Sequence, residues 1–119
     1  MIITYYTSER SFIMKVFGVG RLVRDLEVMY SQNGLCVAKF SIAENIYNYQ
    51  TKDREAQFYN IIAFGKLAER IGKLALEKGE KLHIEGRLQI KNYINKQGEK
   101  RKYTQIILDN FELCGRISK

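Results

Sequence analysis

A short aromatic segment near the middle of the chain carries the side chains best suited to binding a planar ligand. Residues 57–64, QFYNIIAF, are rich in β-branched and aromatic residues and read as a strand. Alternate residues of a strand point to opposite faces, so one face carries Phe58, Asn60, Ile62 and Phe64. The other face can enter a core, which leaves two phenylalanine rings and an amide on an open sheet surface. Exposed rings of this kind stack on unpaired nucleobases.

The charge of the chain favours the same class of ligand. Lysine and arginine number 20 against 13 aspartates and glutamates, so the net charge is +7. Such a surplus can serve solubility alone, but it also attracts polyanions, which bind with release of counterions. The chain has 8 tyrosines and 6 phenylalanines, several of them among basic residues. Rings interleaved with cations favour single-stranded nucleic acid over other polyanions.

A second group of aromatic and basic residues follows in the C-terminal half. Residues 81–93 read as a long strand, with Leu82, Ile84, Gly86, Leu88 and Ile90 facing inward. The outward row is Arg87, Gln89, Lys91 and Tyr93. From Arg87 to Tyr103 there are six lysines and arginines and one glutamate. Charge can simply protect a sheet edge against aggregation, but the interleaved Tyr93 and Tyr103 favour binding.

A polar segment at 45–54 contains two further tyrosines, Tyr47 and Tyr49, together with Lys52 and Arg54. Its composition predicts a long hairpin tip between two strands. The exposed rings have two explanations, which the sequence leaves open. They pack against the stem of their own loop, or they stack on a ligand.

Residue types that carry catalysis or hold metals are sparse. The single histidine, His83, has no cysteine or second histidine near it, and Cys36 and Cys114 lack metal-ligand spacing. Ser41 has no adjacent base that would activate its hydroxyl. We therefore expect a protein that is not an enzyme and that uses neither a metal nor a cofactor.

The location of the protein is predicted from its termini, apolar runs and cysteines. No stretch approaches the roughly 18 apolar residues of a membrane span, and the N-terminus lacks the pattern of a secretory signal. Two cysteines far apart in sequence are expected to be reduced thiols. These features predict a cytoplasmic protein that does not act at a membrane.

The order of predicted elements indicates the fold. Strands are expected at 14–23, 25–30, 37–43, 57–64, 81–93 and up to residue 108. The spacing of Leu67, Ile71 and Leu74 predicts one helix over 65–79, ended by Gly79. Gly18 and Gly20 would let the first strand bend sharply around a small barrel. We predict an all-β domain, a five-stranded Greek-key OB-fold barrel with one helix between strands 3 and 4.

Several segments in one colinear register resemble the bacterial single-stranded-DNA-binding protein family. They are GRLVRDLEV at 20–28, VAKFSIA at 37–43, IAFGKLAE at 62–69, KG at 78–79 and IEGRL at 84–88. The resemblance runs from about residue 14 to residue 113. It implies sequence-independent binding and protection of single-stranded DNA in replication, recombination and repair.

The resemblance also implies the residues that would contact DNA. The base-stacking residues fall on Phe58, Phe64, Tyr93 and one or both of Tyr47 and Tyr49. The residues matched to the DNA backbone are Lys15, Arg21, Arg87, Lys91, Arg101 and Lys102, and Asn60 is expected to make a polar contact. Family members often carry tryptophan at some stacking positions. This chain has no tryptophan, so weaker stacking is expected.

The resemblance further implies a homotetramer, located at the bacterial nucleoid or, for a viral or plasmid-borne member, in the host cytoplasm. Residues 1–13 are expected to be an extension of uncertain role, 14–114 the binding domain and 115–119 a short basic C-terminus. Because the given sequence lacks the family's acidic tip, it indicates a tailless member or a truncated piece, and recruitment through such a tip is not expected. The alternative is a primosomal, replication-restart type of adaptor that acts mainly through partner proteins.

Overall fold

A computed structural model describes residues 14–115, and the predictions made for residues 1–13 and 116–119 lie outside them. Within this part the chain forms six strands and one helix. In order these are β1 (Lys15–Leu22), β2 (Glu27–Tyr30), β3 (Cys36–Asn48), β4 (Asp53–Phe64), α1 (Gly65–Gly72), β5 (Lys81–Ile94) and β6 (Lys100–Leu113). The strand alternation seen in the sequence therefore corresponds to real strands.

Five of the strands close into a barrel. The order around it is β1, β5, β6, β4, β3, and the ring closes where β1 pairs with β3 at Arg21–Ala43 and Leu22–Ile42. Neighbours are antiparallel except β4 and β6, which run parallel, while β2 pairs with β3 outside the ring. The helix lies between β4 and β5, the third and fourth strands of the ring in chain order. The predicted five-stranded barrel of the OB-fold type is confirmed.

The barrel core is built from the inward residues of each strand. In β4, Ile61 and Ala63 are buried, while Phe58 and Phe64 on the alternate positions remain exposed. Leu82 and Ile84 of β5 and Leu22 of β1 complete the centre of the core. Burial of each large aliphatic side chain stabilises the fold by about 1.5–3 kcal/mol. Because the alternate residues of β4 fill the core, its two phenylalanines point outward.

A β-bulge and a close backbone approach shape the side of the barrel near β5 and β6. Glu85 pairs with Asn110 and the following Gly86 pairs with Leu108, which leaves Asp109 as the extra residue of the bulge. A Cβ atom on Gly86 would lie 2.4 Å from the carbonyl oxygen of Ile107. At Gly20 it would lie 3.0 Å from the carbonyl oxygen of Ala43, whereas Gly18 has open space around it. The tight glycine positions on the barrel strands are therefore Gly20 and Gly86.

The helix is shorter than the sequence predicts: it ends at Gly72 and not near Gly79. After it, the amide of Leu74 bonds the carbonyl of Ile71, and Ala75 takes a positive φ of 49°. Gly79 has a φ of 93°, and its amide donates to the carbonyl of Leu22 at 2.8 Å. This glycine therefore joins the connection to the barrel instead of ending the helix.

Both long hairpins project farther than predicted. Strands β3 and β4 continue to Asn48 and Asp53, so the expected loop at 45–54 is reduced to a tight turn. On β5, the prediction that Leu88 and Ile90 face a core is wrong, since they are 37% and 56% exposed. They share a strand face with the buried Ile84, but the β5–β6 hairpin has left the barrel at that point.

Candidate nucleic-acid interface

The outer face of β4 presents two aromatic rings separated by about 20 Å, the rise of six strand residues. Phe58 is 63% exposed and Phe64 is also exposed. Between them lie the exposed Asn60 and the buried Ile62. The alternation forces these rings outward, because Ile61 and Ala63 occupy the core. Both predicted stacking positions of the central strand are thus accessible.

The β5–β6 hairpin adds two cross-strand pairs, each made of one tyrosine and one cation. Tyr93 lies opposite Arg101, and Lys91 lies opposite Tyr103. Directly opposed residues of an antiparallel pair share a face, so these four side chains form one aromatic and cationic surface. All four are exposed. Rings and charges therefore alternate along the hairpin and also across it.

Tyr47 and Tyr49 sit at the end of the β3–β4 hairpin. Their ring centroids are 4.8 Å apart at an interplanar angle of 76°, an edge-to-face contact. Tyr47 pairs across the hairpin with Arg54. Both rings nevertheless stay exposed to solvent. The two rings thus pack against each other within the hairpin and are still accessible to a ligand. Packing within the loop and stacking on a ligand are both compatible with this arrangement.

Arg21 is brought toward Phe58 by the closure of the barrel. It pairs with Ala43 across the β1–β3 seam, and Ala43 pairs in turn with Phe58. The guanidinium of Arg21 donates from Nη1 to the carbonyl oxygen of Gly79 at 3.0 Å. A cation is therefore fixed two strands away from an exposed ring.

Lys15 and Arg87 lie opposite each other on β1 and β5, and they share one carboxylate. Asp109 Oδ2 is 3.6 Å from Lys15 Nζ, and Asp109 Oδ1 is 3.3 Å from Arg87 Nε. Arg87 Nε is buried and has no hydrogen-bond partner of good geometry. Two of the predicted backbone contacts are thus already partly neutralised within the protein.

The neighbouring cations Arg101 and Lys102 point to opposite faces of their hairpin. Arg101 pairs with Tyr93, whereas Lys102 pairs with Asn92. Arg101 Nη2 also contacts Glu99 Oε1 at 2.7 Å in an exposed ion pair, an interaction worth only about 0.2–1 kcal/mol. The structure therefore joins Arg101, but not Lys102, to the face that carries Tyr93.

A polar cleft on the same outer face contains residues that the sequence reading did not assign. It has a volume of about 140 Å³, and Arg24, Lys39, Tyr103 and Gln105 line it together with Asn60. Gln105 is only 8% exposed. The outward position of Lys39 and the place of Tyr103 among basic residues were visible in the sequence. Their meeting depends on the β4–β6 pairing, which no local pattern reveals.

A hydrogen-bonded tyrosine supports this part of the barrel from the opposite strand face. The hydroxyl of Tyr59 donates to Glu44 Oε1 at 2.5 Å and accepts from Gln57 Nε2 at 2.8 Å. The bond to Glu44 is the main cause that raises the pKa of Tyr59 above its ordinary value, and partial burial adds to it. Tyr59 therefore stays neutral and keeps donating across the physiological pH range.

Across residues 14–115, no three His, Cys, Asp or Glu side chains come together as metal ligands. His83 is half-buried, and Cys36 and Cys114 are free thiols. Between the same bounds, no helix combines the length and apolar character needed to cross a membrane.

A closed five-stranded barrel with one helix between its third and fourth strands places the protein in the class of OB-fold proteins. The sequence profile described as the single-strand binding protein family matches residues 13–114, and the chain belongs to that family. It is a non-catalytic family.

Curated relatives at about 40% identity agree with this assignment. The chain is 43% identical over 95 residues to "Single-stranded DNA-binding protein 1" of Staphylococcus aureus strain Mu50, covering 79% of this chain and 60% of that protein. It is 39% identical over 102 residues to the "Single-stranded DNA-binding protein" of Streptococcus mutans UA159, covering 85% and 62%. For the Enterococcus faecalis V583 protein of the same name, the values are 39%, 85% and 54%. The chain thus spans somewhat over half the length of these relatives.

Proposed function

We propose that this protein binds single-stranded DNA with little dependence on sequence, in the bacterial cytoplasm and in support of replication, recombination and repair. The observation that carries the proposal is the exposure of Phe58 and Phe64 on the outer face of the barrel, together with the exposed Tyr93–Arg101 and Lys91–Tyr103 pairs of the β5–β6 hairpin. The names of the curated relatives agree with it.

Binding would combine stacking with phosphate neutralisation. Each base stacked on an aromatic ring contributes about 1–3 kcal/mol, and every base offers a π-face. Lysine and arginine side chains would neutralise phosphates and release counterions. In duplex DNA the faces of the bases are covered by their stacked neighbours. Strand selectivity would follow from this difference, and sequence selectivity would remain small.

Self-association into a homotetramer is part of the proposal. Phe17 and Val19 are exposed on the outer face of β1, and Leu88 and Ile90 are exposed on the projecting β5–β6 hairpin. Apolar side chains that cluster in contact with water commonly mark protein interfaces. Further copies of the chain would cover these side chains, and DNA passing over several protomers would bind more tightly through a high effective concentration.

The test is a titration of the protein against oligothymidylate, oligouridylate and duplex DNA, with the mass of each complex measured by light scattering. We expect a tetramer that binds the single strands and leaves the duplex free. The logarithm of the affinity should fall with the logarithm of salt concentration by about 0.7 per phosphate contacted. A dimer with weak binding to short sites would favour the primosomal adaptor, and a flat salt response would remove the cations from the mechanism.

A further inference from the structure

The polar cleft on the outer face has the composition of a site for the edge of one base. Ser41, Asn60, Tyr103 and Gln105 line it, with Lys39 and Glu27 at its β2–β3 side. We propose that the cleft binds a single nucleobase through hydrogen bonds and gives the protein a preference for cytosine over thymine. This inference rests on the proposed function, because it needs single-stranded DNA on this face.

Two amide side chains of the cleft are held in fixed orientations. Ser41 Oγ donates to Asn60 Oδ1 at 2.9 Å, and Gln105 Nε2 donates to Gln89 Oε1 at 2.7 Å. These bonds leave the Asn60 amide nitrogen as a donor without a partner among residues 14–115. They also leave Gln105 Oε1 available as an acceptor. A fixed donor and a fixed acceptor on neighbouring strands can read the edge of a base, whereas a ring alone cannot.

The size and the ring of the cleft suit one planar base. At about 140 Å³, the cleft has room for a single heterocycle but not for a stacked pair. Tyr103 is exposed at its border, opposite Lys91 on the neighbouring strand. Its ring can therefore cover one face of a base whose edge reaches Asn60 and Gln105.

The charges around the cleft distinguish cytosine from thymine. Glu27 pairs with Lys39 across β2 and β3, so a carboxylate and an ammonium group stand side by side. A carboxylate accepts a hydrogen bond from the cytosine N4 amino group, and thymine carries an oxygen at that position. In this arrangement the Asn60 amide nitrogen donates to cytosine N3, and the Glu27 and Gln105 oxygens accept the two hydrogens of the N4 amino group. Thymine presents an N3–H donor and the O4 acceptor at those two positions, so it would oppose all three protein groups. Arg24 and Lys39 remain for the adjoining phosphate.

The experiment compares short oligocytidylate and oligothymidylate of equal length, titrated against the wild-type chain and three variants. Asn60→Ala and Glu27→Gln should each lower the ratio of cytidylate to thymidylate affinity by about two- to tenfold, the range of one hydrogen bond. Lys39→Ala is the matched control. It should weaken both oligomers equally and reduce the salt slope by about 0.7.

The outcomes separate this inference from the proposed function. If wild-type protein binds both oligomers and neither Asn60→Ala nor Glu27→Gln changes their ratio, the base-reading cleft is refuted and the proposed function stands. If wild-type protein binds no single strand at all, the proposed function is refuted and this inference is refuted with it. Asn60 and Glu27 are exposed, so we expect both variants to fold, and circular dichroism will verify that they do.

Discussion

Arg87 and Asp109 form an ion pair beside the β-bulge, with Arg87 Nε 3.3 Å from Asp109 Oδ1. The same carboxylate lies 3.6 Å from Lys15 Nζ. Asp109 occupies this place because it is the extra residue of β6 between Leu108 and Asn110. A single carboxylate thus competes with any phosphate for two cations that the sequence assigns to the DNA backbone.

Removal of this carboxylate charge should strengthen DNA binding. In Asp109→Asn, Lys15 and Arg87 lose their internal counter-charge and become available to phosphates. We expect a salt dependence steeper by about 0.7 for each new phosphate contact, and a higher affinity at low salt. Fluorescence titration with oligothymidylate at several salt concentrations measures both. An unchanged slope would mean that neither cation meets DNA.

The two most exposed phenylalanines of the barrel strands form a matched pair for testing the stacking assignment. Phe58 on β4 is 63% exposed and Phe17 on β1 is 65% exposed. Phe58→Ala should weaken binding of a short oligothymidylate by about 1–3 kcal/mol. Phe17→Ala should leave that affinity intact and reduce the mass of the assembly. Equal losses of affinity in both variants would contradict the assignment.

Arg101 and Lys102 are adjacent cations on opposite faces of the β5–β6 hairpin, and they provide a second comparison. Arg101→Ala should weaken binding, because its guanidinium shares a face with Tyr93. Lys102→Ala should have a smaller effect, since its side chain lies on the face of Asn92. Both changes remove one positive charge, so a difference between them reports position and not net charge. The measurement is affinity at low salt, and identical effects would show that DNA contacts both hairpin faces.

Glycine at the bulge should matter for stability in a way that Gly18 does not. A Cβ atom at Gly86 would lie 2.4 Å from a backbone oxygen, so Gly86→Ala should destabilise the fold by about 1–3 kcal/mol. Gly18 has open space, and Gly18→Ala should be neutral or slightly stabilising, by up to about 1 kcal/mol. Denaturant unfolding compares them, and equal midpoints would refute the predicted crowding.

Side-chain alternation predicted the fold because it depends on local sequence alone. It correctly separated the buried Ile61 and Ala63 from the exposed Phe58. The same pattern failed at Leu88 and Ile90, because alternation assigns a strand face but does not show where a strand leaves its barrel. The helix end was misplaced for a related reason. Glycine at position 79 is typical of a helix terminator, but its amide donates a hydrogen bond to the carbonyl of Leu22 in β1.

The candidate site was predictable in its residue types but not in its grouping. Exposed rings at Phe58 and Tyr93 follow from strand patterns. Alternation alone separates Arg101 from Lys102, but the hairpin register decides that Arg101 is the one that shares the face of Tyr93. The neutralisation of Arg87 needs the bulge. The meeting of Asn60 with Gln105 needs a parallel pairing between strands far apart in sequence. Long-range register is the information that a single sequence does not supply.

The barrel consists of two antiparallel leaves, β1–β5–β6 and β2–β3–β4, and its pairing between them is brief. In residues 14–115 the leaves are registered at Ile61–Ile106 and Ile62–Ile107 on one seam, and at Arg21–Ala43 and Leu22–Ile42 on the other. Amides at these seams should exchange with solvent before those within each leaf. Asn60 and Gln105 belong to different leaves, so a nucleotide held between them would slow that opening and raise the melting temperature through linkage.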